Sequence, residues 1–190
     1  MKQKIKEQIL ASVAVKQSLV DECISDIELA AQFMIDSIRN YGKILWCGNG
    51  GSAADAQHLA TELMGGMADH ERKPIPSIAL TTDSSFITAW SNDTNFKSIF
   101  SRQVQGLGSK GDVLVGISTS GNSDNVVAAI KQAKYKGLKT IALTGKFGGK
   151  MKNLADVTIF VPSEDTQRIQ ESHIMIGQII CSLVEDSFIE

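Results

Sequence analysis

From residue 43 onward the chain alternates short apolar runs with helical stretches, and this alternation narrows its possible folds more than any other feature. Apolar runs at 44–47, 77–80, 113–117, 140–144 and 157–161 are separated by helical patterns to about residue 64, across 84–106 and over 122–136. Runs this short, apolar on successive residues, belong to strands buried on both faces. Helices between them supply the crossover connections that parallel strands require. The pattern therefore predicts an α/β core over 42–190, a five-stranded parallel sheet between helical layers, preceded by a helical segment over 1–41. In such sheets ligands sit outside the carboxyl ends of the strands, at a topological switch point.

Two of the runs break into Gly/Ser turns at that end. In the first, Cys47-Gly-Asn-Gly-Gly-Ser52 opens a helix that carries His58 and Glu62. Glycines let the backbone adopt positive φ and approach a ligand, while the first N–H groups of the helix point toward it with partial positive charge. The spacing of four puts His58 and Glu62 on one helix face. Such a pair alone is also an ordinary solvated surface feature. The second turn, Gly116-Ile-Ser-Thr-Ser-Gly-Asn-Ser123, carries hydroxyls at Ser118, Thr119, Ser120 and Ser123, four in six residues. Turn and N-cap positions favour Ser and Thr, but capping needs fewer of them, so the cluster points to a phosphate dianion. No Lys follows the glycines and neither turn contains G-x-G-x-x-G, which points to a sugar phosphate rather than a nucleotide.

The remaining segments limit the alternatives. Apolar residues recur at three and four through 1–41, with a boundary at Ser25 or Asp26 as one option, and the broad apolar face suits packing on another subunit. A polar, glycine-bearing stretch over 65–74 reads as a mobile loop beside the crevice. A final helix from about residue 166 is apolar over much of its circumference and predicts burial. Net charge is −2 with scattered Lys and Arg, and no apolar run approaches membrane-spanning length. Neither a nucleic-acid nor a membrane partner is expected. Cys23, Cys47 and Cys181 are odd in number and lack C-x-x-C spacing, so they read as reduced, buried thiols of a cytoplasmic chain. The N-terminus lacks the uninterrupted apolar segment of a secretory signal.

Four motifs in order resemble one family. They are Cys-Gly-Asn-Gly-Gly-Ser-Ala-Ala-Asp-Ala-Gln-His at 47–58, Gly-Ile-Ser-Thr-Ser-Gly-Asn-Ser at 116–123, Leu-Thr-Gly-Lys-x-Gly-Gly-Lys at 143–150 and Arg-Ile-Gln-Glu-x-His-Ile at 168–174. Together they are similar to the sugar-isomerase (SIS) domain proteins and, within these, to the phosphoheptose isomerases, which convert sedoheptulose 7-phosphate to glycero-manno-heptose 7-phosphate for surface polysaccharide. The resemblance spans nearly the whole chain as one SIS domain. It implies a flavodoxin-like fold, a homotetramer with sites built from more than one subunit, and a zinc ion near the sugar carbonyl. It carries metal ligation to His58, Glu62 and Gln170, with Gln178 at the fourth position. Substrate contact falls to Asn49, Gly50, Gly51, Ser52, Glu62, Asn92, Asp93, Ser118, Thr119, Ser120, Ser123 and Gln170. Asp55 and Arg168 lie inside the motifs.

The departures are specific. Gln178 stands where the family carries a histidine that ligates metal and moves a proton, and an amide cannot exchange protons near neutral pH. Gly66 stands where an arginine is usual, and Ser91 precedes Asn92-Asp93 in place of glycine. An aldose–ketose isomerisation needs a carboxylate base and stabilisation of an ene-diolate, so Glu62 and position 178 are the catalytic candidates. His173, three residues after Gln170, would replace the missing imidazole if α-helical rotation allowed, although a packed histidine is the plainer reading; His70 reads as solvated. Taken singly, Asn92-Asp93 is also a simple turn, Gln170 a backbone partner and 146–150 a surface turn. An isomerase of another sugar phosphate, or a non-catalytic SIS-domain binding protein, stays open from sequence.

Overall fold

The computed structural model describes residues 1–188. Helices α1 (Lys2–Glu22) and α2 (Ile24–Arg39) precede the core, in which β1 (Ile44–Gly48), α3 (Gly51–Gly65), β2 (Ser77–Ala79), α4 (Ser84–Asp93), α5 (Ile99–Leu107), β3 (Val113–Ser118), α6 (Asp124–Lys136), β4 (Lys139–Gly145), β5 (Val157–Val161) and α7 (Thr166–Asp186) follow in turn. The five strands are all parallel in the order β2-β1-β3-β4-β5. The expected doubly covered sheet is thus present, and its order places the switch point between β1 and β3.

Successive strand residues feed opposite layers, which explains the unbroken apolar runs. Ile44, Trp46, Val115, Ile117, Leu143 and Ile159 pack with residues of α2, α3 and α7, including Met34, Leu59, Leu63 and Ile176. Leu45, Cys47, Leu114 and Ala142 face the other way, against Phe100 and Val104 of α5 and Val126 and Ile130 of α6. The central strands β1, β3 and β4 are dehydrated on both faces by separate helical layers, a pattern that continuous hydrophobicity supports.

Three local readings are corrected. The helical prefix breaks at Cys23, whose backbone leaves helical ψ at −9°, rather than at Ser25 or Asp26. Its thiol lies 3.3 Å from the Phe160 carbonyl, which ties the joint to the sheet. Helix α6 begins at Asp124, two residues later than expected, because 119–123 remains an open turn. The 65–74 stretch is anchored: Met67, Ala68 and Arg72 all bond to the buried Glu185 carboxylate of α7. No element of local sequence signals a partner 113 residues away. All three cysteines are buried and free, as expected. Among the described residues no helix is long and apolar enough to cross a membrane.

Candidate active site

The two Gly/Ser turns meet at the switch point. Asn49, at the end of β1, and Asn125, in the first turn of α6, exchange side-chain amide hydrogen bonds of 2.8 Å in both directions. The reciprocal pair joins the turns into one crevice, as the sheet order demands. It also commits the Asn49 amide to protein rather than leaving it free for substrate. Asn125 is buried, and the sequence hints at it only by a second Asn two residues past the hydroxyl-rich motif.

Two glycines of the first turn differ in what they meet. Gly50 sits at φ +56° as N-cap of α3, a conformation that suits glycine. A Cβ on Gly51 would lie 2.5 Å from the Gln170 amide nitrogen, so a side chain there would displace the end of Gln170, which α7 lays against the start of α3. Ser52 is buried one residue further on.

In the second turn the hydroxyls converge. Ser118 Oγ is 3.0 Å from Ser123 Oγ and 3.5 Å from Ser120 Oγ, while the Asn122 amide donates to Ser120 Oγ at 3.1 Å. Ser123 is the N-cap of α6, yet its side chain makes no capping bond and turns to Ser118 instead. The hydroxyls therefore form a cluster beside a helix N-terminus, an arrangement suited to an anion. Thr119 and Ser120 also line a cleft with Gly145, Lys146, Ser163 and Thr166.

The third motif buttresses this turn. The Gly145 amide donates to the Thr119 carbonyl at 2.9 Å, the Met151 amide to the Gly121 carbonyl at 3.1 Å, and the Lys150 amide to Asn122 Oδ1 at 3.0 Å. Gly121 at φ +64° and Gly149 at φ +50° lie backbone against backbone, with no room for a side chain between them. Residues 146–150 are thus a support for the hydroxyl cluster, not an incidental surface turn.

On α3, His58 Nε2 lies 2.9 Å from Glu62 Oε1, and Gln178 of α7 donates its amide to the same oxygen at 2.9 Å. The Glu62 side chain is 11% exposed and its Oε2 is buried with no hydrogen-bond partner. One oxygen is thereby oriented and the other is left with its lone pairs unused. Asp55, one turn before His58, has a buried, unpaired Oδ2; burial pushes its carboxyl up to about 6, against the opposing pull of His58.

His58, Glu62 and Gln178 thus come together, whereas Gln170 does not join them. It packs against Gly51, eleven residues before Glu62 and hence about 16 Å along α3. Asn92 and Asp93 are exposed at the end of α4, with Asn92 donating to Asp93 Oδ1 at 2.9 Å. The idea that His173 replaces the missing imidazole is overturned. It is fully buried, Nε2–H donates to the Thr144 carbonyl at 3.1 Å, and burial lowers its pKa to about 4. His70 is exposed and bonded through Nδ1 to the Gly65 carbonyl at 3.1 Å. Arg168 is buried and donates to the Gln8 carbonyl at 2.6 Å, so it fastens α1 to α7. Gly66 adopts φ +99° against the Asp69 carbonyl, which leaves no space for the arginine expected there.

The orphaned Glu62 Oε2 beside an imidazole nitrogen fits a divalent ion, and an amide oxygen from Gln178 is available if that amide turns over. Among the described residues no third His, Cys, Asp or Glu joins the pair.

Comparison with known proteins follows the same lines. A family model described as SIS domain matches residues 9–145. A phosphoheptose isomerase from a Nitratiruptor species is 50% identical over 188 residues, covering 99% of this chain and 100% of that protein. One from Aquifex aeolicus is 47% identical over 190 residues, covering 100% and 99%. The solved phosphoheptose isomerase of Neisseria gonorrhoeae superposes with a TM-score of 0.92 at 43% identity, over 97% of this chain and 98% of that one. That of Francisella tularensis gives 0.93 at 37% identity, over 97% of each. The chain belongs to the SIS domain family, among its phosphoheptose isomerases.

Proposed function

We infer that the chain is an aldose–ketose isomerase that converts sedoheptulose 7-phosphate to D-glycero-D-manno-heptose 7-phosphate, an early step of heptose synthesis. The observation that carries this reading is the Glu62 carboxylate, sequestered from water, oriented through Oε1 by His58 and Gln178, and free at Oε2. Relatives of nearly the same length that bear this name support it.

The substrate's phosphate binds the hydroxyls of Ser118, Ser120 and Ser123 at the start of α6, with Thr119 beside them. Asn49, Gly50, Gly51 and Ser52 border the sugar across the Asn49–Asn125 bridge. Glu62 takes a proton from C1, next to the C2 carbonyl, and returns it to C2, while the hydroxyl proton passes from the C1 oxygen to the C2 oxygen; the electron pair moves through an ene-diol whose oxygens carry the developing charge. Gln178 holds Glu62 in place and carries no proton.

His58 Nε2, Glu62 Oε2 and the Gln178 amide oxygen would hold a zinc ion. When bound, such an ion polarises the carbonyl and stabilises ene-diolate charge. Gln170 serves this group, and Asn92 and Asp93 the substrate, only in an assembly that brings them in from another copy. Exposed Ile5, Ile9, Leu10 and Val13 on α1 support a homo-oligomer, read here as a tetramer. Reduced, buried thiols support a cytoplasmic setting.

The test is incubation of the purified protein with sedoheptulose 7-phosphate and zinc, followed by detection of the aldose product. Turnover that disappears in Glu62→Gln supports the assignment; absence of turnover in the parent chain refutes it.

A further inference from the structure

The C-terminal end of α3 is held by a buried ion pair whose partners come from distant parts of the chain. Arg72 Nε donates to Glu185 Oε1 at 2.6 Å, and the two side chains are 4% and 2% exposed. The rest of the guanidinium is spent on backbone. Nη2 donates to the carbonyls of Glu62 and Leu63 at 3.0 and 2.8 Å, and Nη1 to that of Lys73 at 2.9 Å. Glu185 in turn accepts the amides of Met67 and Ala68, each at 3.1 Å through its shorter contact.

The last carbonyls of a helix lack intrahelical partners, and a cation there is favoured by the helix dipole. Arg72 meets both needs at the residue that carries the free carboxylate. Its counter-ion stands on α7, two turns beyond Gln178, whose amide grips that same carboxylate. The pair therefore links the backbone of Glu62 to the helix that orients its side chain.

We propose that Arg72 and Glu185 are positioning residues for the isomerisation, fixing the end of α3 against α7 so that Glu62 and Gln178 stay in register. The inference rests on the catalytic role given to Glu62 above. A misplacement of about 1 Å at a reacting group is enough to cost roughly a hundredfold in rate, while binding of a remote phosphate is little affected.

The experiment measures kcat and KM on sedoheptulose 7-phosphate, with thermal midpoints, for Arg72→Lys, Glu185→Gln, the double variant Arg72→Met/Glu185→Leu and Glu62→Gln. Arg72→Lys keeps the charge but loses the fork that reaches two carbonyls. Both single variants are expected to lower kcat by about tenfold or more with KM within about threefold. The double variant removes both charges together but also the partners of the Glu62, Leu63 and Lys73 carbonyls and the Met67 and Ala68 amides, so it is expected to melt below the parent and to lose kcat as the single variants do. A folded variant of any of these three with kcat within about twofold of the parent overturns the inference. So does failure of all three to fold, which would make the pair part of the scaffold. An inactive Glu62→Gln alongside full-rate Arg72 and Glu185 variants removes only this inference, whereas an active Glu62→Gln removes the catalytic reading and this one with it.

Discussion

Gln178 donates its side-chain amide to Glu62 Oε1 at 2.9 Å, so the position at which the sequence resemblance implies a histidine contacts the carboxylate proposed as the base. The bond spans 116 residues and crosses from α7 to α3. It orients the base without being able to share its proton.

Removing the charge at Glu62 should abolish turnover rather than weaken binding. Glu62→Gln is expected to lower kcat by about a hundredfold or more, the usual contribution of a positioned general base. The phosphate contacts are untouched, so KM should change far less. Steady-state kinetics on the ketose phosphate check this, and a kcat within about tenfold of the parent would contradict it.

Restoring an imidazole at position 178 tests the ligand set without relying on activity. Gln178→His is expected to raise the zinc retained after dialysis, since imidazole is a better zinc ligand than an amide oxygen. Metal analysis of parent, Gln178→His and His58→Ala proteins provides the measurement. Equal zinc in all three would place the ion elsewhere.

The hydroxyl cluster should act on affinity. Ser118→Ala or Ser123→Ala removes one side of a 3.0 Å hydroxyl pair at the start of α6. Hydrogen bonds to a charged group contribute about 1.5–3 kcal/mol, so KM is expected to rise roughly tenfold or more, with kcat less affected. Inhibition by inorganic phosphate should weaken in parallel. Unchanged phosphate inhibition would remove the cluster from the binding site.

Gly121 sits at φ +64° with its α-carbon face against the Gly148 carbonyl. Gly121→Ala should destabilise the fold by about 1–3 kcal/mol and displace the turn from its support. Thermal melting and the phosphate inhibition constant should move together. An unchanged melting temperature would show that the two loops can separate freely.

His173 links stability to acidity. Its folded pKa lies near 4 against an ordinary 6.5, because burial disfavours the imidazolium. Between those values the unfolded chain binds the extra proton, so this residue makes stability fall as pH drops from about 6.5 toward 4, by about 3 kcal/mol in full. Asp55 acts in the opposite sense. Its carboxyl, raised from 3.8 to about 6, holds a proton in the folded state over that range and loses stability as pH rises. Denaturant melts of His173→Gln and the parent at several pH values separate the two. The variant should lack the acid-side loss, and an identical slope in both proteins would refute the assignment.

The linear order of residues was enough to establish the alternation of strand and helix, the two glycine turns at strand ends and the pairing of His58 with Glu62. These are local properties: unbroken apolar runs, positive-φ positions and a spacing of four along one helix are set within a few residues. The break at Cys23 and the late start of α6 lay within two or three residues of the expected places, where competing backbone bonds decide the boundary. Packing of the folded chain settled everything else. It joined Asn49 to Asn125, brought Gln178 to Glu62 while leaving Gln170 beside Gly51, buried His173 beneath Thr144, and turned an apparently mobile loop into one clamped by Arg72 and Glu185. Each of these depends on which helix packs beside which. That is fixed by the order of strands in the sheet and by burial summed over the whole core, quantities to which no short stretch of sequence has access.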